Sequence, residues 1–282
     1  MTDIPQDAPW YTSDIDSIIQ PQSRRMLQEY AGIASDRIVE HIKVHREIAW
    51  SISPYPSVGA LTWVNPYMLL HEAHKTILRR VKAGGTIVDC GCMISPDLRL
   101  LAWEGAPTNR MFAFDIEPTF FDLGFDFYND RDKWQGHFID ADGTKPIDET
   151  PLKDLKHAVD IVWCPKFLHL FDRQGQIDNA TRLIEMLKPQ PGSIFAGSQN
   201  GLPETQDVTY ANSRMGTGYR TIWMANAKAV EEMWNEVARK TNTTWDVQAR
   251  LLDLRTIGMH EDDGSEYKRK TGYNLQWTAV WQ

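Results

Sequence analysis

The sequence predicts an α/β fold: a mostly parallel sheet with helices on both faces, preceded by a helical segment. Three observations carry this expectation. From Thr86 onward, short runs rich in β-branched and aromatic residues alternate with segments whose apolar residues recur at helical spacing. Such alternation requires a parallel sheet covered on both sides. The residues before it show helical spacing alone, so 1–83 reads as a helical cap and 84–282 as the α/β core, the two forming one unit. Third, acidic residues stand at the ends of the first three expected strands. A hydrophobic share of 42% over 282 residues is enough to bury such a core.

The elements follow in order. Residues 24–30 and 36–50 have helical spacing, the second through Ile38, Ile42, Val44 and Ile48, with Asp36 as its expected cap. Pro54, Pro56 and Gly59 break the helical pattern. Residues 67–82 read as one helix ending at Ala83-Gly84-Gly85, with His71 and His74 on its surface or packed within the cap. Strands are expected at 86–89, 111–115, 137–140, 160–163 and 193–196, separated by helices at 96–104, 118–128 and 174–187. A helix at 227–239 follows, and the late apolar segments 245–252 and 275–281 can pair as edge strands. Ligands of such sheets bind outside the carboxyl ends of the strands.

Composition excludes several functions. The net charge of −8 with no basic block argues against nucleic-acid binding. No apolar run approaches the ~20 residues needed to span a bilayer. The polar start, residues 1–9, does not read as a secretory leader. Three cysteines, Cys90, Cys92 and Cys164, are too few for a disulfide framework and fit a reducing, cytoplasmic setting. Their spacing lacks a second ligand pair, so no metal is expected.

The acids at the strand ends carry the chemistry. Asp89 precedes Gly91, Asp115 ends the second strand, and Asp140 and Asp142 end the third. In a nucleotide-binding sheet, glycine after the first strand admits a ligand close to the backbone, and an acid after the second accepts hydrogen bonds from two ribose hydroxyls. An acid after the third can receive the adenine amino group. The loop lacks the spaced glycines that cradle a pyrophosphate, so an adenosyl ligand fits better.

Further segments support a family resemblance: Pro9-Trp10-Tyr11, Pro54-Tyr55-Pro56, Asp89-Cys90-Gly91-Cys92, Asp97-Leu98-Arg99, Asp115 with Pro118, the run from Phe167 to Phe171, and Leu187-Lys188-Pro189 with Pro191-Gly192-Ser193. On these the chain resembles class I S-adenosylmethionine-dependent methyltransferases. More narrowly, it is similar to fungal methyltransferases of meroterpenoid and polyketide pathways, members of which esterify the carboxyl of a prenylated aromatic acid. The resemblance implies a Rossmann-like methyltransferase fold with S-adenosyl-L-methionine as cofactor. The residues expected to hold it are Asp89, Gly91, Cys92, Asp115, Ile116, Asp140, Ala141 and Asp142. It implies a small lipophilic substrate, with the N-terminal cap as its lid, and leaves a homodimer open.

Two departures stand out. The family loop has a small residue and then glycine where this chain has Met93 and Ser95, and Lys166 follows the fourth strand where a small or neutral residue is usual. A lysine beside a sulfonium is unfavourable unless shielded, yet it would hold a substrate carboxylate well. Lys166 and His169 are therefore the candidate catalytic residues, His169 as a base should the substrate be a phenol. Trp10, Tyr11, Tyr55, Phe167 and Phe171, with Trp63, are candidates for an apolar pocket wall. Two other readings compete with methyl transfer: a cyclase or isomerase on the same fold, which the altered loop and Lys166 would suit, and a non-catalytic partner of a methyltransferase.

Overall fold

A computed structural model of the chain describes residues 10–211, 219–257 and 271–282. The polar start 1–9 lies outside the described residues. Five helices come first: α1 (Ile15–Ile18), α2 (Pro21–Glu29), α3 (Ile38–Ile52), α4 (Pro56–Gly59) and α5 (His74–Lys82). The Asp14 side chain caps α1 by accepting from the Ser17 N–H, and α2 opens on Pro21, whose missing N–H costs nothing there. Then come β1 (Ile87–Cys90), α6 (Pro96–Trp103), β2 (Met111–Asp115), α7 (Thr119–Tyr128) and β3 (His137–Asp140). β4 (Ile161–Pro165), α8 (Arg173–Ile184) and β5 (Ile194–Asn200) continue the alternation. β6 (Gln206–Ala211), β7 (Tyr219–Met224), α9 (Ala227–Thr241), β8 (Trp245–Asp253) and β9 (Tyr273–Trp281) complete the chain.

The main sheet has seven strands in the order β3-β2-β1-β4-β5-β9-β8. β1 to β5 are parallel, and β9 joins β5 antiparallel. Alternation along each strand divides the core into two layers. Ile87, Met111, Ile161, Trp163, Ile194 and Ala196 pack with α2, α3, α5, α6 and α7 on one face. Val88, Val162, Phe195 and Trp277 pack with α8 and α9 on the other. The N-terminal helices thus share one apolar core with half of the sheet. Between α6 and α7 lies a fully buried ion pair: Arg99 Nε donates to Asp130 Oδ2 at 2.9 Å, both side chains having no exposure. Arg99 Nη1 also donates to the Ile94 carbonyl at 2.6 Å, which ties the loop after β1 to this pair. Among the described residues no helix is long and apolar enough to cross a membrane.

The structure corrects several details. Asp36 lies within a 3₁₀ turn, Ser35–Arg37, and α3 begins after Arg37 with no side-chain cap. The expected helix over 67–82 is two pieces, a 3₁₀ turn Tyr67–Leu70 and then α5. His71 separates them. It is buried, its Nε2–H donates to the Gly197 carbonyl at 3.1 Å, and its Nδ1 accepts from the Ala73 N–H at 3.1 Å. β9 pairs with β8 as expected but is interior, between β5 and β8, which leaves β8 as the edge. The helix-breaking stretch after Pro54 contains the single turn α4. The β6–β7 hairpin, a separate two-stranded sheet, was not among the expected elements. It packs on the loop after β4, where the Trp223 N–H donates to the Phe171 carbonyl at 3.0 Å.

Candidate active site

The carboxyl ends of β1, β2 and β3 meet around one carboxylate. Asp115 Oδ2 accepts from the Met93 N–H at 2.8 Å, and its Oδ1 accepts from the Glu117 N–H at 3.0 Å. Burial raises the pKa of this half-buried acid, against the pull of those backbone donors. On either side, the Cys92 N–H donates to the Phe114 carbonyl and the Ala141 N–H to the Asp115 carbonyl. The loops after β1 and β3 are thereby fastened to the end of β2. Asp89, Gly91, Cys92, Asp115, Ile116, Asp140, Ala141 and Asp142 all lie at this edge of the sheet. Cys92 and Ala141 are buried, Asp140 is exposed, and Ile116 keeps 48% of its surface open. Asp142 Oδ1 is committed to the Thr144 N–H and hydroxyl.

The loop after β1 has a close-approach geometry. Gly91 has φ +66°, and a Cβ there would stand 3.0 Å from the Phe167 ring. Met93 and Ser95, the two departures from the family loop, have φ of +50° and +48°. Both occupy the left-handed region that glycine enters freely. The loop has therefore kept a glycine-type path while carrying larger residues. Ser95 Oγ donates to Asp89 Oδ2 at 2.8 Å, whereas Asp89 Oδ1 is buried with no partner. Burial drives the Asp89 carboxyl well above its ordinary range, with the nearby Asp97 charge adding to it. A half-buried acceptor, a tight glycine turn, an exposed apolar side chain and an orphaned buried oxygen fit the polar and apolar parts of an adenosyl amino acid.

The next strand supplies a cation. Lys166, just after β4, has φ +53° and its N–H donates to the Ser198 carbonyl at 2.7 Å. The residue keeps some surface, but its Nζ is enclosed, donating to Asn200 Oδ1 at 2.6 Å and standing 5.2 Å from the Tyr67 ring centre. Withdrawal from water lowers its pKa to about 7. His169 lies three residues on. Burial, followed by the Lys166 and Arg220 charges, lowers its pKa to about 3, and its Nδ1 has no hydrogen-bond partner. It is a neutral imidazole and a weak base.

The expected pocket aromatics fall into two groups. Phe167 stands 6.3 Å from Phe114 and 5.7 Å from Phe171, between centroids. Tyr11 meets Trp50 edge-on at 5.0 Å, and Trp10 joins them around Gly59. The Tyr11 hydroxyl donates to Glu47. Tyr55 packs on the N-terminal core, and Trp63 is itself buried there against Phe127. Asn200, Tyr67 and Asp97 were not singled out as site residues. A polar residue at the carboxyl end of a strand was the available signal for Asn200. Asp97 is buried in α6, where Oδ1 accepts from the Met68 N–H at 2.7 Å and Oδ2 from Trp163 Nε1 at 3.0 Å.

Known proteins agree with this architecture. Residues 10–64 match the family model described as a meroterpenoid methyltransferase N-terminal domain. The O-methyltransferase phiE of a fungal species (strain ATCC 74256) is 30% identical over 253 residues, covering 88% of this chain and 81% of its own. The O-methyltransferase atr3 of Stereocaulon alpinum is 31% identical, covering 95% of this chain and 75% of its own. The chain belongs to this family of fungal methyltransferases. A solved structure of the Burkholderia thailandensis 1,6-didemethyltoxoflavin-N1-methyltransferase shares the fold, with a TM-score of 0.50 at 15% identity, covering 84% of this chain and 90% of that one. The protein is thus an S-adenosylmethionine-dependent methyltransferase with a class I fold, and the competing isomerase and non-catalytic readings give way.

Proposed function

We propose that this methyltransferase esterifies the carboxyl group of a small lipophilic acid, most specifically a prenylated aromatic acid of the meroterpenoid type. The observation that carries the reading is Lys166: an enclosed amine at the carboxyl end of β4 with no carboxylate partner among the described residues. An incoming carboxylate would supply its missing counter-charge and favour its protonated form. When bound, S-adenosylmethionine supplies an electrophilic methyl group.

Asp115 would accept from the two ribose hydroxyls, Ile116 and Ala141 would lie against the adenine, and Asp140 and Asp142 would take its amino group. Asp89, Gly91 and Cys92 would border the amino-acid portion. A carboxylate substrate is already ionised near neutral pH, so the chain need only orient it and exclude water. A weakly basic His169 is compatible with that demand and poorly matched to deprotonating a phenol. His169 would then act as a hydrogen-bonding wall beside Phe167 and Phe171, and segment 1–83 would close over the substrate, with Tyr67 lying near Lys166.

Two variants test the reading. Asp115→Ala should weaken S-adenosylhomocysteine binding tenfold or more in a calorimetric titration, since bonds to a charged acceptor contribute about 1.5–3 kcal/mol each. Lys166→Met should raise KM for an acid substrate while sparing cofactor affinity. Wild-type cofactor affinity in the first variant, or wild-type KM in the second, would refute the corresponding assignment.

A further inference from the structure

Along β5, side chains that face the N-terminal helices change character abruptly. Ile194 and Ala196 belong to the apolar core of that face. The next two positions of the same parity are Ser198 and Asn200. Their antiparallel partners on β9 are Gln276 and Asn274, and Pro165 of β4 lies in register with Ser198 on the other side. Residues in register project to the same face, so these polar side chains form one patch at the carboxyl edge.

The four are not equally satisfied. Gln276 Oε1 accepts from Arg250, and its Nε2 donates to the Leu70 carbonyl. Asn200 Oδ1 accepts from Lys166. Ser198 and Asn274, at 0% and 4% exposure, leave Ser198 Oγ and Asn274 Oδ1 buried without any partner. Native proteins leave few buried polar atoms unpaired, because desolvation is then uncompensated. Asn274 lies in register with Asn200, the acceptor of the Lys166 bond, and Ser198 is the preceding same-face position on β5.

We propose that Lys166, Ser198, Asn200 and Asn274 form a recess that receives the oxygenated end of a hydroxylated aromatic acid. This rests on the carboxyl-methylation reading above. Lys166 and the Ser198 hydroxyl supply donors to one carboxylate oxygen, leaving the other to be methylated. Asn274 Oδ1 takes a neutral donor, the hydroxyl carried by the substrate near its carboxyl group. Asn200 is a positioning residue: it holds the Lys166 amine in the recess without neutralising it, as an aspartate there would.

The test uses the full chain saturated with S-adenosylhomocysteine and three probes: a geranylated 2-hydroxybenzoate, its 2-methoxy ether and its carboxamide. Calorimetry on the wild type should rank the hydroxy acid at least tenfold above either analogue. Asn200→Asp should cost the acid at least tenfold in affinity and leave the carboxamide and S-adenosylhomocysteine unchanged, because the new carboxylate pairs with Lys166 and repels the anion. Asn274→Leu should erase the preference for hydroxyl over methoxy while keeping the preference for acid over amide. A melting curve of each variant monitors folding. Equal losses for acid and carboxamide, or no loss at all, in a wild-type background that binds the acid, overturn the recess and leave carboxyl methylation standing. A wild type that binds S-adenosylhomocysteine but none of the three probes overturns both.

Discussion

Met93 and Ser95 hold a left-handed backbone without being glycine. For an L-residue that conformation costs roughly 1–2 kcal/mol. Ser95 offsets part of it through its hydrogen bond to the buried Asp89, and Met93 through packing against the N-terminal core. Two truncations separate the terms at Met93. Both Met93→Ala and Met93→Gly lose the side-chain contacts, but only glycine removes the backbone strain. Met93→Gly should therefore be more stable than Met93→Ala by about 1 kcal/mol, the reverse of the order at an ordinary site. Chemical denaturation of the pair checks this, and a more stable alanine variant would count against strain at this position. At this scale the sequence was legible in position: Asp115 was expected at the end of β2 and Lys166 just after β4, and both stand there. The orphaned state of Ser198 and Asn274 could not be read, because it depends on the register of β5 with β9, two strands separated in the chain by the β6–β7 strands, α9 and β8.

The break at His71 shows how one tertiary contact overrides local spacing. Residues 67–82 have a helical pattern, yet the histidine ring is drawn onto the Gly197 carbonyl and its backbone leaves the helix. The freed turn, Tyr67–Leu70, is anchored from below by Asp97, which accepts from the Met68 N–H and from Trp163. Nothing in the sequence around Asp97 reveals this, since an acid in the first turn of a helix is ordinarily explained by the helix dipole. Burial raises the Asp97 pKa to about 6, even against those hydrogen bonds. A free carboxyl titrates near 3.9, so the folded chain holds this proton more tightly than the unfolded one. The stability so gained is complete below about pH 4 and is lost as pH rises through about 6. Asp97→Asn retains one acceptor and turns an amide N–H₂ toward the other donor, at a cost of about 1–3 kcal/mol. Having no charge to bury, it should escape the pH-dependent loss. The melting temperature of the variant should lie furthest below wild type at pH 4.5 and approach it by pH 7.5. A gap independent of pH would remove Asp97 as the titrating group.

At the scale of the molecule, the alternation of strands and helices was legible because parallel strands need crossovers, and crossovers leave a long-range rhythm in the sequence. The strand order and the interior place of β9 were not, because two late apolar segments read the same at an edge or beside β5. That placement matters for how the N-terminal segment is held. Arg250 on β8 reaches across Gln276 of β9 to the Leu70 carbonyl at 2.7 Å and pairs with Glu72, so the last strands grip the segment that carries Tyr67. Gln276 Nε2 also donates to Leu70, at 3.1 Å, and would persist if Arg250 were replaced. Arg250→Met should consequently weaken the junction without releasing it, lowering stability by about 1–2 kcal/mol. Hydrogen exchange should accelerate over residues 67–74 and stay unchanged over β2, whose neighbours are β1 and β3. If segment 1–83 closes over the substrate, the same variant should also raise KM for the acid while S-adenosylhomocysteine affinity holds. Exchange that accelerates equally in β2 would mean that Arg250 supports the whole sheet rather than the junction with the N-terminal segment.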